Sequence, residues 1–253
     1  MDKALLQTRS LHRSFGGVHA VKDVTFHVPD GAIKAVIGPN GAGKTTLFNL
    51  IAGAISPHGG EVLFRDKPIT GWKPHAIASL GIARTFQTTK LFPHMTVLEN
   101  IMVGRHSRMR SGFVAALLNL PGTWRETREA QAKAHAILDD LGLSAHAGEI
   151  AANLSFGRQR LVEFARALAM EPTLLLLDEP AAGLSSAETH TLTLLLKKLD
   201  PSITILLIEH DMDVAFEFAE RITVLYQGKL LTEGTKEEIK NNPTVQEIYL
   251  GGE

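Results

Sequence analysis

Eight consecutive residues, Gly38-Pro39-Asn40-Gly41-Ala42-Gly43-Lys44-Thr45, follow the pattern G-x-x-x-x-G-K-[ST]. Glycines at this spacing let the backbone curl until successive N–H groups point inward, a cradle shaped for phosphate oxygens. The residues Asn40, Gly41, Ala42 and Gly43 then line the cradle, and Lys44 reaches the β and γ phosphates of a nucleotide. Thr45 places its hydroxyl on Mg²⁺, a hard ion that takes oxygen ligands and retains several waters, with Thr46 as the weaker neighbour. A glycine-rich turn with an incidental lysine would look similar in isolation. Here an apolar run, Ala32 to Ile37, leads into the loop and a helical run, Thr45 to Ala54, leads out of it, which is the context the chemistry requires.

A second constellation is an apolar run that ends in two carboxylates, Leu174-Leu175-Leu176-Leu177-Asp178-Glu179-Pro180. At the carboxyl end of a buried parallel strand, where such folds bind ligands, Asp178 would anchor Mg²⁺ and Glu179 would accept a hydrogen bond from an attacking water as general base. Ile208-Glu209-His210-Asp211 also follows an apolar run and sets His210 at the same sheet edge, as a donor for phosphoryl charge. A lone histidine is more often structural, and a strand-end acidic turn is more often solvated. The position of both beside a phosphate loop favours the chemical reading, a nucleotide hydrolase.

The elements that must hold these residues are legible in outline. Residues 4 to 29 alternate short apolar stretches with turns at Gly16-Gly17 and Pro29-Asp30, predicting antiparallel strands. Buried strands are predicted at Ala32 to Ile37, Thr173 to Leu177 and Ile203 to Ile208, with a helix from about Ala187 to Leu199 between the last two. Such alternation implies a parallel sheet covered by helices through right-handed crossovers. Between the first two strands lies a long, mostly helical stretch, including Glu126 to Leu141, that suits a subdomain. At 253 residues and 44% hydrophobic content, the chain can bury one sizeable α/β core with a small appendage.

Bulk properties narrow the partners. Lys and Arg number 26 against 27 Asp and Glu, so no overall basic field favours nucleic acid or an anionic membrane. No apolar run approaches the roughly 18 to 20 residues needed to span a bilayer, and no export signal pattern opens the chain, so a soluble cytoplasmic protein is expected. The chain contains no cysteine, which removes disulfides and thiolate metal sites.

The segment Leu154-Ser155-Phe156-Gly157-Arg158-Gln159 lies just before a helix expected to run to about Met170 and upstream of the acidic strand. It resembles the signature motif of ABC ATPases, usually written L-S-G-G-Q; Phe156 stands for a glycine and Arg158 for the glutamine, while Ser155 and Gly157 remain. Ser155 and the free N–H groups of the helix start make a second anion site. An ordinary serine-capped helix is the alternative for this motif alone. The resemblance covers essentially the whole chain. It implies a P-loop NTPase α/β fold with a RecA-like parallel core, an N-terminal antiparallel β subdomain and an α-helical signature subdomain. It assigns residues 1–87 and 160–253 to the core and 88–159 to the helical part.

It also implies ATP and Mg²⁺ as ligands and a head-to-tail dimer in which Ser155 and Gly157 contact the ATP held by the other subunit. Phe15 falls where an aromatic stacks on adenine, with Val21 among the nucleotide-contacting positions. Gln87 falls where a glutamine joins Mg²⁺ and the catalytic centre to the membrane partner, and His210 matches the switch histidine. In the loop Gly183-Leu184-Ser185, the family-typical aspartate is replaced by Ser185. Three segments, Thr88 to Asn100, the insert from about Gly104 to Glu126, and Gln246 to Gly252, look like the ATPases of branched-chain amino-acid importers. The insert carries Arg105, Arg108 and Arg110 beside the apolar Phe113 to Leu120; it reads as helix packing, or as a dock for the membrane partner.

The expected assembly therefore comprises integral-membrane permease subunits, a second ATPase subunit (self or paralogue) and, indirectly, a periplasmic or extracellular solute-binding protein. Its place would be cytoplasmic, peripheral on the inner face of the cell membrane. Lipopolysaccharide-export ATPases share a similar ending and rank second. A soluble ABC ATPase of translation or DNA repair would normally need tandem units or a long coiled coil, and the chain shows no sustained heptads. A regulatory module that hydrolyses nothing is disfavoured by the presence of Glu179.

Overall fold

The computed structural model describes residues 3–85, 90–105 and 124–250. The chain divides into two compact units, one drawn from Met1–Arg84, Thr173–Ala181 and Leu196–Glu253, the other from Thr85–Pro172 and Ala182–Leu195.

The first unit opens with β1 (Ala4–Phe15) and β2 (Val18–Pro29), an antiparallel pair turning at Gly16-Gly17 as the sequence predicts. In β2 the buried Val24, Phe26 and Val28 alternate with exposed Thr25 and His27, the period of a half-buried strand. Strands β4 (Gly59–Phe64) and β5 (Lys67–Pro68) complete this sheet in the order β2-β1-β4-β5.

A second sheet is built from β3 (Ile33–Ile37), β6 (Ile82–Arg84), β7 (Leu174–Asp178), β8 (Thr204–Glu209), β9 (Arg221–Tyr226) and β10 (Lys229–Thr235), in the order β10-β9-β3-β8-β7-β6. All neighbours run parallel except β10, which pairs antiparallel with β9. The three strands expected from apolar runs fall within one residue of their predicted positions. Their spatial order is not their chain order, because β8 inserts between β3 and β7. Every residue of β7 and β8 is buried, which is why these strands read as unbroken Leu and Ile runs rather than alternating ones.

The helices of this unit are α1 (Lys44–Ile51), α2 (Pro74–Ser79), α7 (Met212–Phe218), α8 (Lys236–Lys240) and α9 (Pro243–Leu250). Helix α1 buries Leu47, Phe48, Leu50 and Ile51 in one cluster with Val36, Leu174, Leu176, Leu206 and Ile208, so the loop before it is held between packed elements. Each such side chain contributes about 1.5–3 kcal/mol. One buried cation interrupts β3: Lys34 pairs with Glu233 at 2.8 Å and donates to the His27 carbonyl at 2.6 Å. Burial lowers its pKa, and the Glu233 carboxylate opposes that shift.

The second unit contains α3 (Val97–Arg105), α4 (Trp124–Asp140), α5 (Phe156–Leu168) and most of α6 (Ser186–Lys198). Thr96 and Glu99 cap α3 reciprocally: the Thr96 N–H donates to Glu99 at 2.7 Å and the Glu99 N–H to the Thr96 hydroxyl at 3.2 Å. The fully buried Asn100 holds the preceding loop, accepting from the Phe92 N–H and donating to the Thr96 carbonyl. Arg105 and Lys133 converge on Glu171, and the Lys133 bond together with the Arg105 partner lowers that carboxyl's pKa. Among the described residues no helix is long and apolar enough to cross a membrane. Most of the insert expected to dock or pack, from residue 106 to 123, lies outside the described residues.

Candidate phosphate-binding and hydrolytic site

Register brings the chemistry together. Ile37 of β3 sits beside Glu209 of β8, and Asp178 of β7 beside Ile208 of β8. The loops that leave these strands, carrying the glycine-rich segment, Glu179 and His210, therefore open at one sheet edge.

The glycine-rich loop is shaped by close approach. Gly38 has φ 155° and a Cβ there would stand 2.2 Å from the Leu225 carbonyl oxygen; at Gly43, φ 101°, it would stand 2.1 Å from that of Ala20. Only glycine satisfies both constraints. Gly43 is the N-cap of α1 and offers no side-chain cap, and no acidic residue lies in the first turn, so the helix start presents its N–H groups uncovered. Asn40, Gly41 and Thr45 are exposed, Thr46 is half-buried and Ala42 is buried. The Lys44 ammonium, buried, donates to the carbonyls of Gly38 at 2.6 Å and Pro39 at 3.1 Å. Burial pulls its pKa down while the carboxylates of Glu179, Asp178 and Glu209, in that order, push it up.

Asp178 is 2% exposed. Its Oδ2 accepts from Arg84 Nη2 at 2.8 Å, and Arg84 Nη1 donates to Asn49 at 2.7 Å. Its other oxygen, Oδ1, is buried and has no hydrogen-bond partner among the described residues. An orphaned carboxylate oxygen that deep is costly unless a cation takes it up. With the exposed Thr45 hydroxyl it fits magnesium, which is commonly bound by one or two protein oxygens plus phosphates and waters. No group of three or more His, Cys, Asp or Glu among the described residues could hold a metal by itself.

Glu179 has φ 48°, a conformation uncommon for a non-glycine residue that costs about 1–3 kcal/mol and clusters at functional sites. Its N–H donates to the Ile208 carbonyl at 3.1 Å, which fastens it to β8. His210 Nδ1 lies 3.9 Å from Glu179 Oε2 and 4.0 Å from Glu209 Oε2. Phe15, 46% exposed at the end of β1, carries the Arg13 guanidinium 4.9 Å from its ring centroid, whereas Val21 is fully buried in the core. Gln87 lies outside the described residues.

In the second unit Ser155 is the N-cap of α5, with φ −58° and ψ 155°, and its side chain makes no capping bond. The ordinary reading of this motif, a serine-capped helix, is therefore not what forms. Gly157 is buried against Glu188, and the exposed Phe156 ring lies against Gly183 with Arg160 over it at 5.4 Å. Ser185, where the family pattern has aspartate, caps α6: its hydroxyl accepts from the Glu188 N–H at 3.3 Å, and its own N–H donates to Glu188 at 2.9 Å. The serine thus keeps a capping function at that turn.

Sequence reasoning missed Arg84, Asn49 and Glu209. The available signal was an arginine closing the apolar Ile82-Ala83 run and a glutamate closing the apolar run from Ile203 to Ile208.

Comparison with known proteins bears on the whole chain. Residues 21–182 match the family described as ABC transporter, and residues 229–253 match the branched-chain amino acid ATP-binding cassette transporter family. The chain is 44% identical to the high-affinity branched-chain amino acid transport ATP-binding protein LivG of Escherichia coli (strain K12), over 99% of each. It superposes on the ADP conformation of an ATP-binding cassette of an ABC transporter with TM-score 0.85 and 35% identity, covering 98% of this chain and 99% of that one. The dimeric structure of a bacterial ABC transporter cassette matches with TM-score 0.78 and 27% identity, covering 91% and 98%. With the glycine-rich loop, acidic pair and histidine at one sheet edge, these similarities mean that the chain belongs to the ATP-binding cassette family, the ATP-hydrolysing subunits of ABC transporters.

Proposed function

We propose that this chain binds MgATP at the α1 loop and uses its hydrolysis to drive uptake of branched-chain or other hydrophobic amino acids through a separate permease. The observation that carries the hydrolytic part is the buried Asp178, held by Arg84 on one oxygen with the other oxygen unpartnered, beside Glu179 and Lys44 at the edge of the parallel sheet. The transport part is supported by 44% identity to LivG over 99% of the chain.

In this reading the loop amides of Asn40 to Gly43 and the start of α1 bind the phosphates, and Lys44 exchanges its loop carbonyls for phosphate oxygens. Thr45, Asp178 and Gln87 hold the magnesium, which when bound neutralises phosphate charge. Glu179 orients water and takes its proton, and His210 donates toward the γ-phosphate. Phe15 supports the adenine, backed by Val21 in the core. The helical part, residues 88–159, presents Ser155 and Gly157 to ATP held by a second ATPase subunit, self or paralogue, head to tail. Gln87 and its surroundings transmit closure to permease subunits, which place the chain on the inner face of the membrane with a solute-binding protein on the far side.

Affinity purification from membranes, with ATPase assay of what is recovered, tests this. Permease subunits should co-purify, and Glu179→Gln should keep ATP affinity while cutting turnover by about 10²–10⁴. Recovery with ribosomes, DNA or no membrane protein would overturn the transport role, and normal turnover in Glu179→Gln would remove Glu179 from the mechanism.

A further inference from the structure

We propose that Glu209 is a positioning residue of the hydrolytic centre, its buried carboxyl tying the turn that carries Glu179 to the loop that carries His210, so that base and histidine are held as one unit. This rests on the roles given above to Glu179 and His210. Glu209 is 1% exposed at the end of β8, a strand that is otherwise apolar apart from Thr204, so an aliphatic residue would satisfy the fold there more cheaply than a carboxyl.

Its two oxygens face different loops. Oε1 accepts the Ala181 N–H at 3.3 Å, in the turn just past Glu179, and Oε2 stands 4.0 Å from His210 Nδ1. The His210 ring is thereby set almost equally from Glu209 and Glu179, at 4.0 and 3.9 Å. The charged and polar groups facing the carboxyl are Glu179 and the Ala181 N–H from the turn after β7, Lys44 from α1, and the His210 N–H and Asp211 from its own loop.

Burial pushes the Glu209 carboxyl up to about 7, with the Glu179 charge adding and the Ala181 N–H opposing. It therefore gains its charge as pH rises through neutrality. That negative charge, 4.0 Å from His210 Nδ1, draws the imidazole toward the pair of carboxylates. Turnover should accordingly rise between about pH 6 and 8 with Glu209 present, and the rise should flatten without it.

The test is steady-state ATPase activity of the full chain with Mg²⁺ from pH 6 to 8, comparing Glu209→Gln, Glu209→Asp and Glu179→Gln with the parent. Glu209→Gln keeps an acceptor for the Ala181 N–H and removes the charge. It should lower kcat about tenfold, leave KM for ATP within about twofold, and flatten the profile. Glu209→Asp, which keeps the carboxyl but retracts it, should recover the pH dependence with part of the rate; it also serves if the glutamine variant does not fold. Parent-like kcat and pH profile in either variant overturn the proposal, as does a loss expressed only in KM. If Glu179→Gln is itself fully active, the underlying catalytic reading fails; if Glu179→Gln is inactive and Glu209→Gln is not, only the present inference fails.

Discussion

Replacing Arg84 by methionine should strip Asp178 of its counter-charge while keeping a side chain of similar length in place. The two side chains are 10% and 2% exposed and meet at 2.8 Å. At that separation and an effective dielectric near 20, the attraction given up is about 6 kcal/mol. Relaxation and water entry recover part of it, and removal of one partner from a buried pair typically costs about 3–5 kcal/mol. Arg84 also donates to Asn49, so the loss extends to the α1 side of the strand. For a domain of this size, each kcal/mol lowers Tm by about 2–4 °C, predicting a fall of roughly 6–20 °C. Thermal unfolding without nucleotide measures it. The double variant with Asp178→Asn removes the uncompensated charge and should melt above Arg84→Met alone. A fall smaller than about 2 °C, or a double variant no more stable than the single, would refute the claim that Arg84 holds the buried carboxylate.

Two further substitutions probe the loop and the second unit. Lys44→Ala removes the cation bonded to the Gly38 and Pro39 carbonyls and should weaken ATP binding on the order of 10- to 100-fold, the scale of a charged hydrogen bond; unchanged affinity by calorimetry would refute its assignment. Two glycines should respond to alanine to different degrees. At Gly104 the new Cβ would meet the Arg166 backbone oxygen at 2.2 Å, an atom that cannot yield, so an overpacking cost of about 1–3 kcal/mol outweighs the helix propensity gained. At Gly157 it would meet the Glu188 carboxylate at 2.1 Å, the end of a side chain that can swing aside at the cost of its exposed bonds to the Ser185 N–H and hydroxyl. Gly104→Ala should lower Tm by several degrees and Gly157→Ala by less; equal effects would show that backbone clash is not what separates the two sites.

What the chain determined by itself was local. The glycine spacing from Gly38 to Gly43, the carboxylates ending the leucine run and the serine-glycine pair at the start of α5 were readable because each depends on residues only a few positions apart. Helix and strand periods placed β3, β7, β8, α4 and α6 for the same reason, and the ordered set of motifs identified the family despite Phe156 and Arg158 in the signature and Ser185 in the loop after the acidic strand.

Tertiary structure decided which strands are neighbours, and with that which charges meet. That β8 lies between β3 and β7 follows from packing apolar surfaces across long separations in sequence, and no local pattern encodes it. The pairing of Arg84 with Asp178 spans 94 positions, and Glu209 meets the Ala181 N–H across 28. From sequence, Asp178 was expected at the magnesium, and no local pattern named Arg84 as its partner or gave Glu209 a role. Burial gave them partners, because a charge taken out of water must find one. The hairpin of β9 and β10 went unpredicted although it has a local signal, the β-branched run Arg221–Tyr226 followed by a two-residue turn, Gln227-Gly228, at φ 47° and 78°. Whether Ser155 would close its own helix or leave the first turn open was likewise settled only by backbone geometry, since either conformation is compatible with a serine before a helix.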